Sequence, residues 1–152
     1  MFELQSVALI LVNNQGRFFC VRELQSKPAI GKLVGTKDYS FPWETMEVNG
    51  HGRERPWLAA HRAIVEEVDA TDTIQIDFPV YIGHIPVHAS TAHVFVARYQ
   101  SGPEILRGTH AGIEVEPLGW LVREELLLRA RDGVREILAL WDRFQQECQS
   151  CQ

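Results

Sequence analysis

The segment Glu54-Arg55-Pro56-Trp57-Leu58-Ala59-Ala60-His61-Arg62-Ala63-Ile64-Val65-Glu66-Glu67-Val68-Asp69-Ala70 reads as one helix that carries carboxylates. At about 100° per residue, Trp57, Leu58, His61, Ile64, Val65 and Val68 fall on one arc of roughly a third of the circumference, the width of a core-facing stripe. Arg62, Glu66 and Glu67 fall opposite. Pro56 suits a first helical turn, because its missing N–H has no intrahelical partner there and its fixed φ matches the helix, so the helix is expected to start near Pro56. His61, on the apolar arc, is expected to be a partly buried, satisfied histidine. Two adjacent glutamates raise one another's pKa unless a cation intervenes. The pair is therefore either the solvated side of an amphipathic helix or half of a divalent-cation site.

On the N-terminal side, Val7 to Val12 and Arg17 to Arg22 flank Asn13-Asn14-Gln15-Gly16, a hairpin with suitable turn chemistry. Val7 to Val12 is apolar on consecutive positions, which predicts a strand covered on both faces. From Gln25 to Lys37 the chain is a loop punctuated by Pro28, Gly31 and Gly35. On the C-terminal side, Ile74 to Val87 and Ala92 to Tyr99 read as strands, Ser101-Gly102-Pro103 opens a loop to Gly112, and Arg123 to Arg131 is a short helical candidate. Val134, Ile137, Leu138, Trp141, Phe144 and Cys148 lie at helical spacing and predict a last helix packed on the sheet.

The spacing around the central helix says more. Glu54 stands eight residues before Arg62, and Arg62-Ala63-Ile64-Val65-Glu66-Glu67 follows a Phe41-Pro42 step and a glycine-containing loop. This resembles the Nudix hydrolase box, G-x5-E-x7-R-E-U-x-E-E-x-G-U with U a bulky aliphatic. Glu54 matches its first Glu, Arg62 its Arg, Ile64 its aliphatic, and Glu66 and Glu67 its closing pair. Val48 stands in place of the leading Gly, with Gly50 and Gly52 just after it to supply flexibility. Asp69 stands in place of the closing Gly and is expected to tolerate a left-handed helix end. Ala63 replaces a Glu that in the family helps bind the catalytic metals, and that would face Glu66 and Glu67 from one turn away. After Phe41-Pro42 the family usually continues Gly-Gly, whereas this chain has Trp43-Glu44.

The resemblance implies an α/β fold, a sandwich with a mixed sheet between helices, formed by residues 1–152 as one domain. It also implies metal-assisted attack of water on a diphosphate in a nucleoside diphosphate linked compound, a small-molecule nucleotide substrate. The ion would be Mg²⁺ or Mn²⁺, held by Glu67 as direct ligand and Glu66 as second ligand or water-holder. Arg62 would orient Glu54 through a charge-assisted hydrogen bond. A general base would come from Glu114, Glu116 or Glu104. The alternative is a Nudix-fold module that has lost hydrolysis and binds a nucleotide or a protein partner. Many members of the family are homodimers, and no residue here decides between that and a monomer.

Composition narrows the partners. A chain of 152 residues with 45% hydrophobic content supports one sizeable core. A formal net charge of −5 and a pI near 5.7 argue against duplex nucleic acid as partner, since that needs a basic face. No apolar run approaches the roughly 18 residues of a membrane span, and the first residues lack a basic start, so a cytoplasmic location is expected. Cys20 and the Cys148/Cys151 pair imply no disulfide framework.

Overall fold

The computed structural model describes residues 4–150. Its central strand, β1 (Leu4–Val12), is buried from Val7 to Val12. Successive strand side chains point to opposite faces. Val7, Leu9 and Leu11 therefore enter one apolar cluster, and Ala8, Ile10 and Val12 enter another on the far side. β2 (Phe18–Glu23) returns antiparallel through a turn in which Asn13 Oδ1 accepts the N–H groups of Gln15 and Arg17.

After the loop come β3 (Tyr39–Ser40) and β4 (Trp43–Thr45), which pair with β2 and β1, and the small hairpin of β5 (Val48–Asn49) and β6 (Gly52–Arg53). α1 (Pro56–Ala63) follows. β7 (Gln75–Ile76), β8 (Val80–Val87), β9 (Ser90–Ser101) and β10 (Val115–Leu121) complete the sheet, and α2 (Arg123–Leu127) and α3 (Val134–Ser150) close the chain. The strand order is β10-β2-β1-β9-β7, with β8 also on β9. β1 and β9 run parallel while their other partners are antiparallel, so the sheet is mixed. The single strand expected over Ile74 to Val87 is broken between Ile76 and Val80, where Pro79 has no N–H to give to a ladder.

Val134, Ile137, Leu138 and Trp141 of α3 pack on Ile10, Val94 and Val96, whereas Ala59, Ala60, Ile64 and Val68 pack on Val7, Leu9 and Phe95. Helices thus cover both faces of a mixed sheet, the α/β/α sandwich the sequence suggested. The arc of the helix that does the covering is only partly the expected one. Trp57 is 54% exposed, Leu58 is exposed, and His61 is exposed and paired with Asp72 at 3.0 Å. The buried side is Ala59, Ala60, Ala63, Ile64, Glu67 and Val68. Small side chains at 59, 60 and 63 let the helix backbone approach the sheet closely; of the expected arc, Ile64 and Val68 are buried, whereas Trp57 and Leu58 lie away from the sheet. No helix among the described residues is long and apolar enough to cross a membrane.

Candidate active site

Five hydrogen bonds converge on the Arg62 guanidinium. Its Nε and Nη2 donate to Glu54 at 3.1 and 2.9 Å, Nη2 donates to the Thr45 carbonyl at 2.7 Å, and Nη1 donates to Glu44 and Glu66, each at 3.2 Å. Glu54 also accepts the Glu47 N–H. The two-point bond from Arg62 holds the Glu54 carboxyl below the usual carboxylate range, and the same contact keeps Arg62 firmly charged. Glu54 is thereby committed to Arg62, and Arg62 ties the loop, strand β4 and the helix together.

The helix does not end as an α-helix. Residues Ile64–Val68 form a π-turn, with the Asp69 N–H donating to the Ile64 carbonyl at 2.8 Å. Such single turns recur at functional sites. The next carbonyls are taken by the loop before β10: Thr109 N–H donates to Val65 O at 3.0 Å, and His110 N–H to Glu66 O at 2.9 Å. Gly108 makes this approach possible, since a Cβ there would lie 2.1 Å from the Glu66 carbonyl oxygen. Asp69 is extended at φ −147° rather than left-handed. Its buried carboxylate turns the chain by accepting the N–H groups of Thr71, Thr73 and Ile74 and the Thr71 hydroxyl. Burial pushes this carboxyl up, and those bonds outweigh burial and hold it below its usual range.

The loop contact sets His110 beside Glu66, with Nε2 3.6 Å from Glu66 Oε1 and Nδ1 3.1 Å from Glu114 Oε2. Glu44 joins them from β4, where it pairs with Val7 and shares Val7's helix-side face, while the Trp43 ring enters the opposite cluster. Glu44, Glu66 and His110 each offer one ligand atom, all within 4.8 Å of one another. Burial first, then the Glu66 carboxyl beside it, pushes Glu44 up to about 8, against the pull of Arg62.

Glu67, expected as the direct metal ligand, is more deeply buried than Glu66. It is 2% exposed and accepts the Trp43 N–H at 2.7 Å. Burial, and then the charges of Glu44 and Glu23, push its carboxyl well above the usual value. The physical reason is helical phase: Glu67 continues the stripe of Ala60, Ala63 and Ile64 and turns toward the sheet, where it lies near enough to Glu44 to feel its charge. Ala63 is fully buried on that same stripe, so a carboxylate there would not simply face solvent with Glu66. Glu114 reaches the site through His110; Glu116 is bound by Arg107 at 2.7 Å, and Glu104 lines a separate cavity with Tyr99 and Trp120. A cavity of about 470 Å³ lies between the β8–β9 turn and the start of α3, away from Glu44, Glu66 and His110.

Glu44 and His110 escaped the sequence reading. Glu44 stood in plain view as the departure from Gly-Gly, one carboxylate gained near the box where another is lost at Ala63. His110 carried only a weak signal, a His four residues before Glu114 between Gly108 and Gly112.

Solved structures match this architecture. A Nudix hydrolase from Nitrosomonas europaea aligns over 93% of this chain and 89% of its own, at 15% identity and a TM-score of 0.65. A C. elegans Ap4A hydrolase, solved as a binary complex, aligns over 95% and 98% at 15% identity and 0.58. The Nudix domain of Shewanella oneidensis NrtR, complexed with ADP ribose, aligns over 95% and 90% at 10% identity and 0.57. The chain therefore has the Nudix fold. No protein-family model matches the sequence, and no curated protein does.

Proposed function

We propose that the protein is a metal-dependent Nudix-type hydrolase that cleaves the diphosphate of a nucleoside diphosphate linked compound. The observation that carries this reading is the ligand set: β4 and the loop before β10 bring Glu44 and His110 to Glu66, on a helix that lacks the box carboxylate at Ala63. The donors are of the types that bind a divalent cation and lie within 4.8 Å of one another, so small side-chain rotations bring them to the roughly 3–4 Å separations that bonds of about 2.0–2.2 Å to one ion span. Glu44, Glu66 and His110 would hold Mg²⁺ or Mn²⁺, which when bound polarises a phosphate oxygen and acidifies a water. Glu67 lies outside this set and acts by fixing the Trp43 backbone beside Glu44.

The remaining roles follow from the contacts. Arg62 keeps the Glu44 and Glu66 carboxylates side by side, and Glu54 anchors Arg62 by two bonds. Glu114 positions His110. The fold neighbours include an Ap4A hydrolase and a domain complexed with ADP ribose, which directs the test to dinucleoside polyphosphates, ADP-ribose and nucleoside diphosphate sugars. Purified protein should release phosphorylated products from one of these only with a divalent cation, and Glu66→Gln should lower the rate by about 10²-fold or more. Equal turnover in a chelator would overturn the reading. A protein that binds one of these compounds and cation together without turnover would favour the non-hydrolytic module.

A further inference from the structure

His110 gives the site a donor that an all-carboxylate cluster lacks. Its Nδ1 lies 3.1 Å from Glu114 Oε2. A carboxylate only accepts hydrogen bonds, so the bond places a ring proton on Nδ1, and Nε2 is the ring atom turned to the cluster, 3.6 Å from Glu66 Oε1. A carboxylate bound to one ring nitrogen while the other faces the ligand cluster is the arrangement that fixes tautomer and orientation in histidine metal ligands. The imidazole is also held in place from the main chain. His110 N–H and Thr109 N–H are tied to the π-turn carbonyls, Ala70 N–H is tied to Arg107 O, and Gly108 sits against the Glu66 backbone. The donor set is therefore two carboxyl groups and one imidazole.

Mg²⁺ is a hard ion that takes oxygen ligands and keeps several waters. Imidazole suits later first-row ions, and affinities of mixed nitrogen and oxygen sites rise from Mn²⁺ through Fe²⁺ to Co²⁺ and Ni²⁺. We propose that His110 Nε2, held by Glu114, makes this a site for a first-row transition-metal ion of the Fe²⁺ or Co²⁺ class in preference to Mg²⁺. The proposal rests on the cation site of the functional reading and names the ion that site selects.

Calorimetric titration of the metal-free protein with CoCl₂ and with MgCl₂ measures the preference, and electron spin-echo spectroscopy of the Mn²⁺-loaded protein detects an imidazole nitrogen on the ion. Co²⁺ should bind at least ~100-fold more tightly than Mg²⁺. His110→Gln should weaken Co²⁺ by at least ~10-fold and Mg²⁺ by less than ~3-fold, and should abolish the nitrogen coupling. Glu114→Ala, which leaves the imidazole in place, should weaken Co²⁺ by about 10-fold with Mg²⁺ unchanged. Tight Co²⁺ binding that His110→Gln leaves intact, or Mn²⁺ bound without nitrogen coupling, would overturn the proposal and leave a carboxylate cation site standing. Failure of every cation to bind would overturn the functional reading itself.

Discussion

Ala63 has no side chain to offer a metal, and it is fully buried where the helix faces the sheet. Restoring the family's carboxylate by Ala63→Glu would place a charge beside a stripe that already contains the buried Glu67. Burying an unpaired carboxylate costs about 3 kcal/mol or more. Ala63→Glu should therefore lower thermal stability sharply, and a variant with wild-type Tm would show that the site has room for it. Glu67→Gln tests the neighbouring assignment, because the amide carbonyl can still accept the Trp43 N–H. That variant should stay folded by circular dichroism and bind cation within ~3-fold of wild type, as expected for a group outside the ligand set. That Glu54, Arg62 and Glu66 lie together was legible because their spacing is itself the signal. That Glu44 and His110 join them was not, because a strand residue and a loop residue meet a helix only through pairing register and loop path, neither of which a local pattern encodes.

At the scale of elements, the helix end and the loop that caps it form one unit. Gly108→Ala would force a Cβ to within 2.1 Å of the Glu66 oxygen and 2.4 Å of the Glu67 nitrogen. The loop must then lift, so this variant should lose about 2–4 kcal/mol in chemical denaturation and weaken cation binding at the same time. Asp69→Ala removes the acceptor of several backbone N–H groups and should cost about 2–3 kcal/mol at pH 7. The Asp69 carboxyl is held below its usual value. Its contribution is therefore fully present above the unfolded pKa of about 3.9, and is lost as pH falls through the lower folded value. The gap between wild type and variant should close on acidification, and a gap that widened would contradict this role. The start of α1 at Pro56 was legible from proline chemistry, but its buried arc was not. Hydrophobic size pointed to Trp57 and Leu58, while the sheet selected alanines that allow close approach. Trp57→Ser should accordingly shift stability by no more than ~0.5 kcal/mol, a small change for so large a residue.

Across the whole molecule, the two-sided burial of β1 links the site to the core. Ile10 lies under α3 and Leu9 under α1, so Ile10→Ala and Leu9→Ala should each cost about 2–5 kcal/mol. The layered fold was readable because an unbroken apolar strand and amphipathic helices leave few ways to cover a sheet. The central claim is that Glu44, and not Glu67, joins Glu66 in holding the cation. Mn²⁺ affinity measured side by side on Glu44→Gln and Glu67→Gln tests it most directly. The account predicts at least ~10-fold weaker binding for Glu44→Gln and little change for Glu67→Gln; the reverse pattern, with Glu67→Gln losing the ion and Glu44→Gln keeping it, would contradict it.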